Sequence, residues 1–168
     1  MKLAQTRFTL IVALSLLASA TLNVYAQSGS TSGSSALTYN EKKVVQIPNT
    51  NGEMLQLATL KGTLKSDGPM NGGSVVNEET AQLFQGNGDQ AGYYTVTTAD
   101  GSTVAKWSGK VTTVMKDSNP MTTFKGKWEY VGGSGKYQSI KGKGDYNGYF
   151  TAADSYVVDW KGNYSLDK

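Results

Sequence analysis

The sequence predicts an all-β protein: a single barrel of eight antiparallel strands in up-and-down order, with a two-sheet sandwich as the alternative. Three observations predict it. From Ala36 onward, runs rich in Val, Thr, Tyr and Leu alternate with Gly, Asn and Asp clusters about ten residues apart, and helical periodicity is scarce. Within the runs, apolar and polar residues alternate, the period of a strand buried on one face and wet on the other. The breaks carry turn chemistry at Asn51-Gly52, Asp67-Gly68 and, between two alternating runs, Asp100-Gly101. An eight-stranded closed sheet has an interior that side chains fill or that holds one small ligand. Closure also removes the unpaired edges of an open sheet.

At the start of the chain, Lys2 and Arg7 precede an apolar run from Phe8 to Ala18, and Val24-Tyr25-Ala26 fits a small-residue cleavage site. This predicts a signal peptide over residues 1–26, cleaved after Ala26, and a secreted or periplasmic product. The apolar run is shorter than the roughly 20 residues of a membrane-spanning helix, so no membrane partner is expected after cleavage. With no cysteine in the chain, lipid attachment is excluded. Cleavage leaves 14 basic residues against 13 acidic ones, which gives no electrostatic case for nucleic acid as partner. Gln27 to Ser35 is low in complexity with little to bury, and reads as a disordered Gly/Ser-rich linker ahead of a barrel domain over 36–168.

The strands are predicted at 37–47, 54–65, 73–84, 92–99, 102–115, 122–131, 143–151 and 156–165. In the fifth, Trp107, Val111 and Met115 share the inward parity, opposite Lys106, Ser108 and Lys110. Pro120 sits at the edge of the sixth, where its missing amide donor does no harm. There Phe124, Trp128 and Tyr130 oppose Lys125, Lys127 and Glu129. In the eighth, Tyr156, Val158, Trp160 and Tyr164 oppose Ser155, Asp159, Lys161 and Asn163. Each buried aromatic removes roughly 150–250 Å² from water, so at ~25 cal/mol per Å² a handful supplies much of the hydrophobic stabilisation.

The sixth and seventh strands meet at a glycine-dense corner. Gly132, Gly133 and Gly135 supply the turn, Tyr137 and Ile140 can plug the space beneath it, and Gly142 and Gly144 suit a kink or bulge. A phosphate-cradling loop should feed a helix, whereas strand follows here. Lys136, Lys141 and Lys143 are interleaved with Asp145 and read as a solvated face.

The absence of histidine and cysteine removes Ser-His-Asp and Cys-His relays, zinc sites with nitrogen or sulfur ligands, and dithiol redox chemistry. No catalytic residue, metal or cofactor is assigned. Trp107, Trp128, Tyr130, Tyr156 and Trp160 form the candidate ligand-contacting surface, either as cavity walls or as a filled core. A buried hydroxyl at Tyr130 or Tyr156 without a protein partner would point to a pocket. Glu78 and Glu79 take opposite faces of one strand; Glu78, if inward beside Val76, is a candidate buried acid or base with a raised pKa.

Three stretches carry a resemblance: GGSGKYQSIKGKGDY, GYYTVTTADGSTVAKWSGKV and SYVVDWKGNY. Over Gly92 to Tyr164 the chain resembles small secreted bacterial proteins of the allene oxide cyclase and dirigent barrel class. The resemblance implies an eight-stranded antiparallel barrel with a central cavity, used as a shaped container, and a trimer like those of relatives. The pocket cysteine of the cyclases has no match here, and cyclase activity is not carried over. The expected function is to bind a small, partly apolar or aromatic molecule in the interior rather than to act as an enzyme. The alternatives are a cofactor-independent isomerase or cyclase using Glu78 and a tyrosine, and a structural or assembly protein.

Overall fold

A computed structural model describes residues 27–167, so the predicted signal peptide lies outside the described residues. The strands are β1 (Gln27–Gln46), β2 (Glu53–Ser66), β3 (Ser74–Phe84), β4 (Asn87–Thr98), β5 (Gly101–Lys116), β6 (Asn119–Gly133), β7 (Ile140–Ala152) and β8 (Ser155–Leu166). They form a closed barrel in sequence order, each antiparallel to its neighbours, and β1 pairs with β8 to complete the ring. Closure settles the choice between barrel and sandwich.

The predicted linker is instead the first part of β1. Gln27 to Ser35 pair residue by residue with Leu166 to Val158. Thr31 and Ser35 are buried, and Asp67 accepts bonds from the Ser32 amide at 2.7 Å and the Ser32 hydroxyl at 2.8 Å. A stretch with no large apolar side chain is ordered because neighbouring strands provide the bulk. A Cβ on Gly33 would come within 2.7 Å of Trp160 Cζ2, so the indole rests where a side chain would stand.

The same arrangement recurs around the wall. A Cβ on Gly92 would meet Trp107 Cζ2 at 2.8 Å, and one on Gly162 would meet Trp128 Cζ2 at 2.6 Å. Inward glycines on β1, β4 and β8 thus let the three tryptophans lie against the barrel wall. Rings then meet edge to face: Trp128 and Trp160 with centroids 5.6 Å apart, Trp107 and Tyr146 at 5.6 Å, Phe124 and Tyr156 at 4.9 Å.

The two ends differ. One is covered by Met70 from the β2–β3 loop and by Tyr137, whose hydroxyl donates to the Pro69 carbonyl at 3.1 Å. Tyr137 belongs to a single 3-10 turn, Gly135–Tyr137, at the predicted glycine corner, and Ile140 is buried beside it as expected. Of the kink or bulge expected at Gly142 and Gly144, no bulge forms: both stay in regular register with β8, and Gly142 takes a φ of 154°. The irregularities fall between Tyr39 and Glu41, Val104 and Ala105, and Phe150 and Ala152.

At the other end the β1–β2 and β5–β6 hairpins extend past the core. Met115, expected inward, is 68% exposed because its part of β5 lies beyond the barrel, although its parity matches Trp107 and Val111. Two tight turns there, Gln85-Gly86 and Asp117-Ser118, have positive φ at both central residues, the geometry that fits hairpin twist. On the outer wall, Lys106, Glu129 and Lys143 pair across strands, as do Lys127, Asp145 and Lys161, so charges alternate around the barrel.

Candidate functional site

The interior includes two spaces that bear on function, both lined by described residues. The inner one is a chamber of about 70 Å³ lined by Trp107, Trp128, Tyr130, Tyr156 and Trp160 among others. The five aromatic residues predicted from strand parity therefore line one space. Its remaining wall mixes aliphatic residues such as Leu37, Leu64 and Val158 with further aromatic and uncharged polar ones, and among the described residues no lysine, aspartate or glutamate lines it.

The polar groups of the chamber divide into paired and unpaired. Trp107 Nε1 donates to Asn77 Oδ1 at 2.8 Å. Asn77 Nδ2 donates to Tyr156 Oη at 2.9 Å, and the Ser35 and Tyr94 hydroxyls are bonded at 2.6 Å. By contrast, Thr103 Oγ1, Trp128 Nε1 and Trp160 Nε1 are buried with no hydrogen-bond partner among the described residues. A buried donor left unpaired costs about 1–3 kcal/mol. Tyr156, expected as a possible orphan, is fully paired, and the indoles carry the signal instead. Burial pushes the Tyr130 hydroxyl up to about 12, with nearby Tyr164 adding to the rise.

The second space, of about 180 Å³, lies toward the extended hairpins and is lined by Tyr39, Lys42, Gln56, Glu79, Phe124 and Tyr156, among others. Phe124, Tyr156 and Gln90 border both spaces and form the partition between them. Glu78 is exposed and pairs across the outer wall with Thr59 and Tyr93. The inward acid is Glu79, 5% exposed. The Val75-Val76 pair hides the parity at the start of β3. The later residues disclose it: Asn77, Glu79, Ala81 and Leu83 face in, and Glu78, Thr80 and Gln82 face out.

Four side chains donate to the Glu79 carboxylate. Tyr39 Oη at 3.1 Å and Gln56 Nε2 at 3.0 Å reach Oε1; Asn77 Nδ2 at 3.2 Å and Tyr156 Oη at 3.1 Å reach Oε2. Burial raises the pKa of this carboxyl, and the bonds from Tyr39, Tyr156 and Gln56 and the charge of Lys42 only partly offset that. The tyrosines respond in kind: burial is the main cause that raises Tyr39 and Tyr156, and the Glu79 charge adds to it. Sequence reasoning missed Glu79, Asn77 and Gln56 as one constellation, because their meeting depends on barrel register.

No family model and no curated protein matches the chain. Solved dirigent proteins do. The chain is similar to the pterocarpan synthase dirigent protein GePTS1, with 13% identity over 84% of this chain and 87% of that one and a TM-score of 0.49. It is also similar to the pterocarpan synthase dirigent protein PsPTS1, with 14% identity over 86% of this chain and 97% of that one and a TM-score of 0.45.

Proposed function

We propose that this is an exported barrel that binds a small, partly apolar molecule in its inner chamber. The observation that carries the reading is the set of three buried, unpartnered groups, Thr103 Oγ1, Trp128 Nε1 and Trp160 Nε1, on an otherwise aromatic and aliphatic wall. Apolar walls with a few placed polar groups suit a ligand that is mostly oily and anchored at one point. The chamber volume limits the buried part to a few heavy atoms unless the partition of Phe124 and Tyr156 moves.

All three tryptophans of the chain line this chamber, so intrinsic fluorescence reports on it without labelling. Titration with small aromatic and aliphatic molecules, paired with native mass spectrometry, tests the reading. Saturable quenching with a matching mass adduct supports it. Unchanged emission across the panel, with no retained adduct, sinks it.

A second reading is favoured by the placing of Glu79, whose pKa burial raises, beside Tyr39 in the outer space: a cofactor-independent isomerase in which Glu79 gives a proton to one atom of a molecule held there and takes one back from another. It replaces the role expected of Glu78. Glu79→Gln would abolish such turnover, and an unaltered rate in that variant would end the idea.

A further inference from the structure

We propose that the chamber selects uncharged molecules bearing a strong hydrogen-bond acceptor, the class of small ketones and sulfoxides, and that Trp128, Trp160 and Thr103 set this selectivity. The inference rests on the binding reading above and names its ligand class. Two of the three free polar groups are indole N–H groups, which donate and cannot accept. They belong to rings whose centroids are 5.6 Å apart. Both nitrogens are closed off in this packing, so an acceptor reaches them only when the rings turn. A carbonyl or sulfoxide oxygen then offers them the lone pairs that no atom among the described residues supplies, whereas a hydrocarbon of the same shape leaves both donors unpaired.

Charge is disfavoured on separate grounds. Among the described residues no charged side chain lines the chamber. The nearest titratable group in the hydrogen-bond network is the acid Glu79, bonded directly to the chamber residues Asn77 and Tyr156, and it supplies no positive charge. An anion placed in the chamber would lose its water and find no cation to replace it. The volume of about 70 Å³ suits a molecule of about four heavy atoms; larger apolar cavities of about 150 Å³ take benzene.

Acetone, isobutene and acetate are close in shape and differ in these properties, so they separate the possibilities. Each is titrated into the intact exported chain while the indole ¹H–¹⁵N resonances are followed. Trp107, already bonded to Asn77, is the internal reference. Acetone should move the Trp128 and Trp160 indole protons downfield in a saturable way and leave Trp107 nearly still, while isobutene should bind at least about tenfold more weakly. Acetate should give no saturable shift. Trp160→Phe and Thr103→Val should each lower the ratio of acetone to isobutene affinity by about tenfold, with the Trp107 resonance reporting an intact fold.

Equal affinity for isobutene and acetone would overturn the acceptor rule while leaving the binding reading standing. Acetate binding as well as acetone would overturn the exclusion of charge. Failure of all three probes to shift the indoles would overturn both this inference and the binding reading.

Discussion

The Trp160 indole lies over Gly33, close enough that a Cβ on Gly33 would come within 2.7 Å of Cζ2 and 2.8 Å of the Lys65 carbonyl oxygen. Gly33→Ala must therefore displace either the ring or the β2 backbone. A loss of about 1–3 kcal/mol is expected in urea unfolding. Gly132 provides the control: no atom lies within 4 Å of a Cβ there, and its φ is outside the left-handed range. Gly132→Ala should leave stability unchanged or raise it by up to about 1 kcal/mol. Equal effects of the two substitutions would contradict the account of how rings fit the wall.

The residues before Ala36 pair with β8 and bury Thr31 and Ser35. A chain beginning at Gly33 should be less stable than one beginning at Gln27 by at least about 2 kcal/mol, because the second half of β8, Lys161 to Leu166, would lose its β1 partner and expose an edge. Identical unfolding midpoints would restore the linker reading.

Those two sites show what was legible in the sequence. Parity alone brought Trp107, Trp128, Tyr130, Tyr156 and Trp160 to one space, because alternation survives in every strand that carries them. It failed where small residues face inward. Ser and Gly in β1 look like linker when read alone, since the rings that cover them come from strands far away in sequence. It also failed at Glu78 and Glu79, where Val75 and Val76 are both apolar and only the run to Leu83 decides the face. The turns at Gln85-Gly86 and Asp117-Ser118 lack the usual Asn-Gly or Asp-Gly pair, so the predicted β4 began at Gly92 rather than Asn87.

Glu79 gives a pH signature whose sign follows from its burial. The folded-state pKa is raised above the ordinary 4.5, so its contribution to stability is fully present below 4.5 and is lost as pH rises through the folded value. The exposed Asp67 acts oppositely: its depressed pKa makes its contribution fall away in acid. Comparing wild type with Glu79→Gln isolates the first effect. Between pH 4.5 and neutrality, wild-type stability should decline relative to the variant, measured by denaturant titration at each pH. Parallel profiles would contradict a raised Glu79 pKa in the folded state.

Thr103→Val removes a buried hydroxyl that has no partner among the described residues, in a nearly isosteric exchange. The ligand-free protein should gain about 1 kcal/mol, seen as a higher unfolding temperature. A loss of stability would mean that the hydroxyl is bonded in solution and not held free for a ligand.

The account depends on the barrel keeping a space among its three indoles instead of packing shut. Diffraction from a crystal pressurised with xenon tests this most directly, since xenon seeks small apolar cavities. An anomalous peak bordered by Trp107, Trp128 and Trp160 is the expected result. Rings collapsed onto one another with no xenon between them would contradict it.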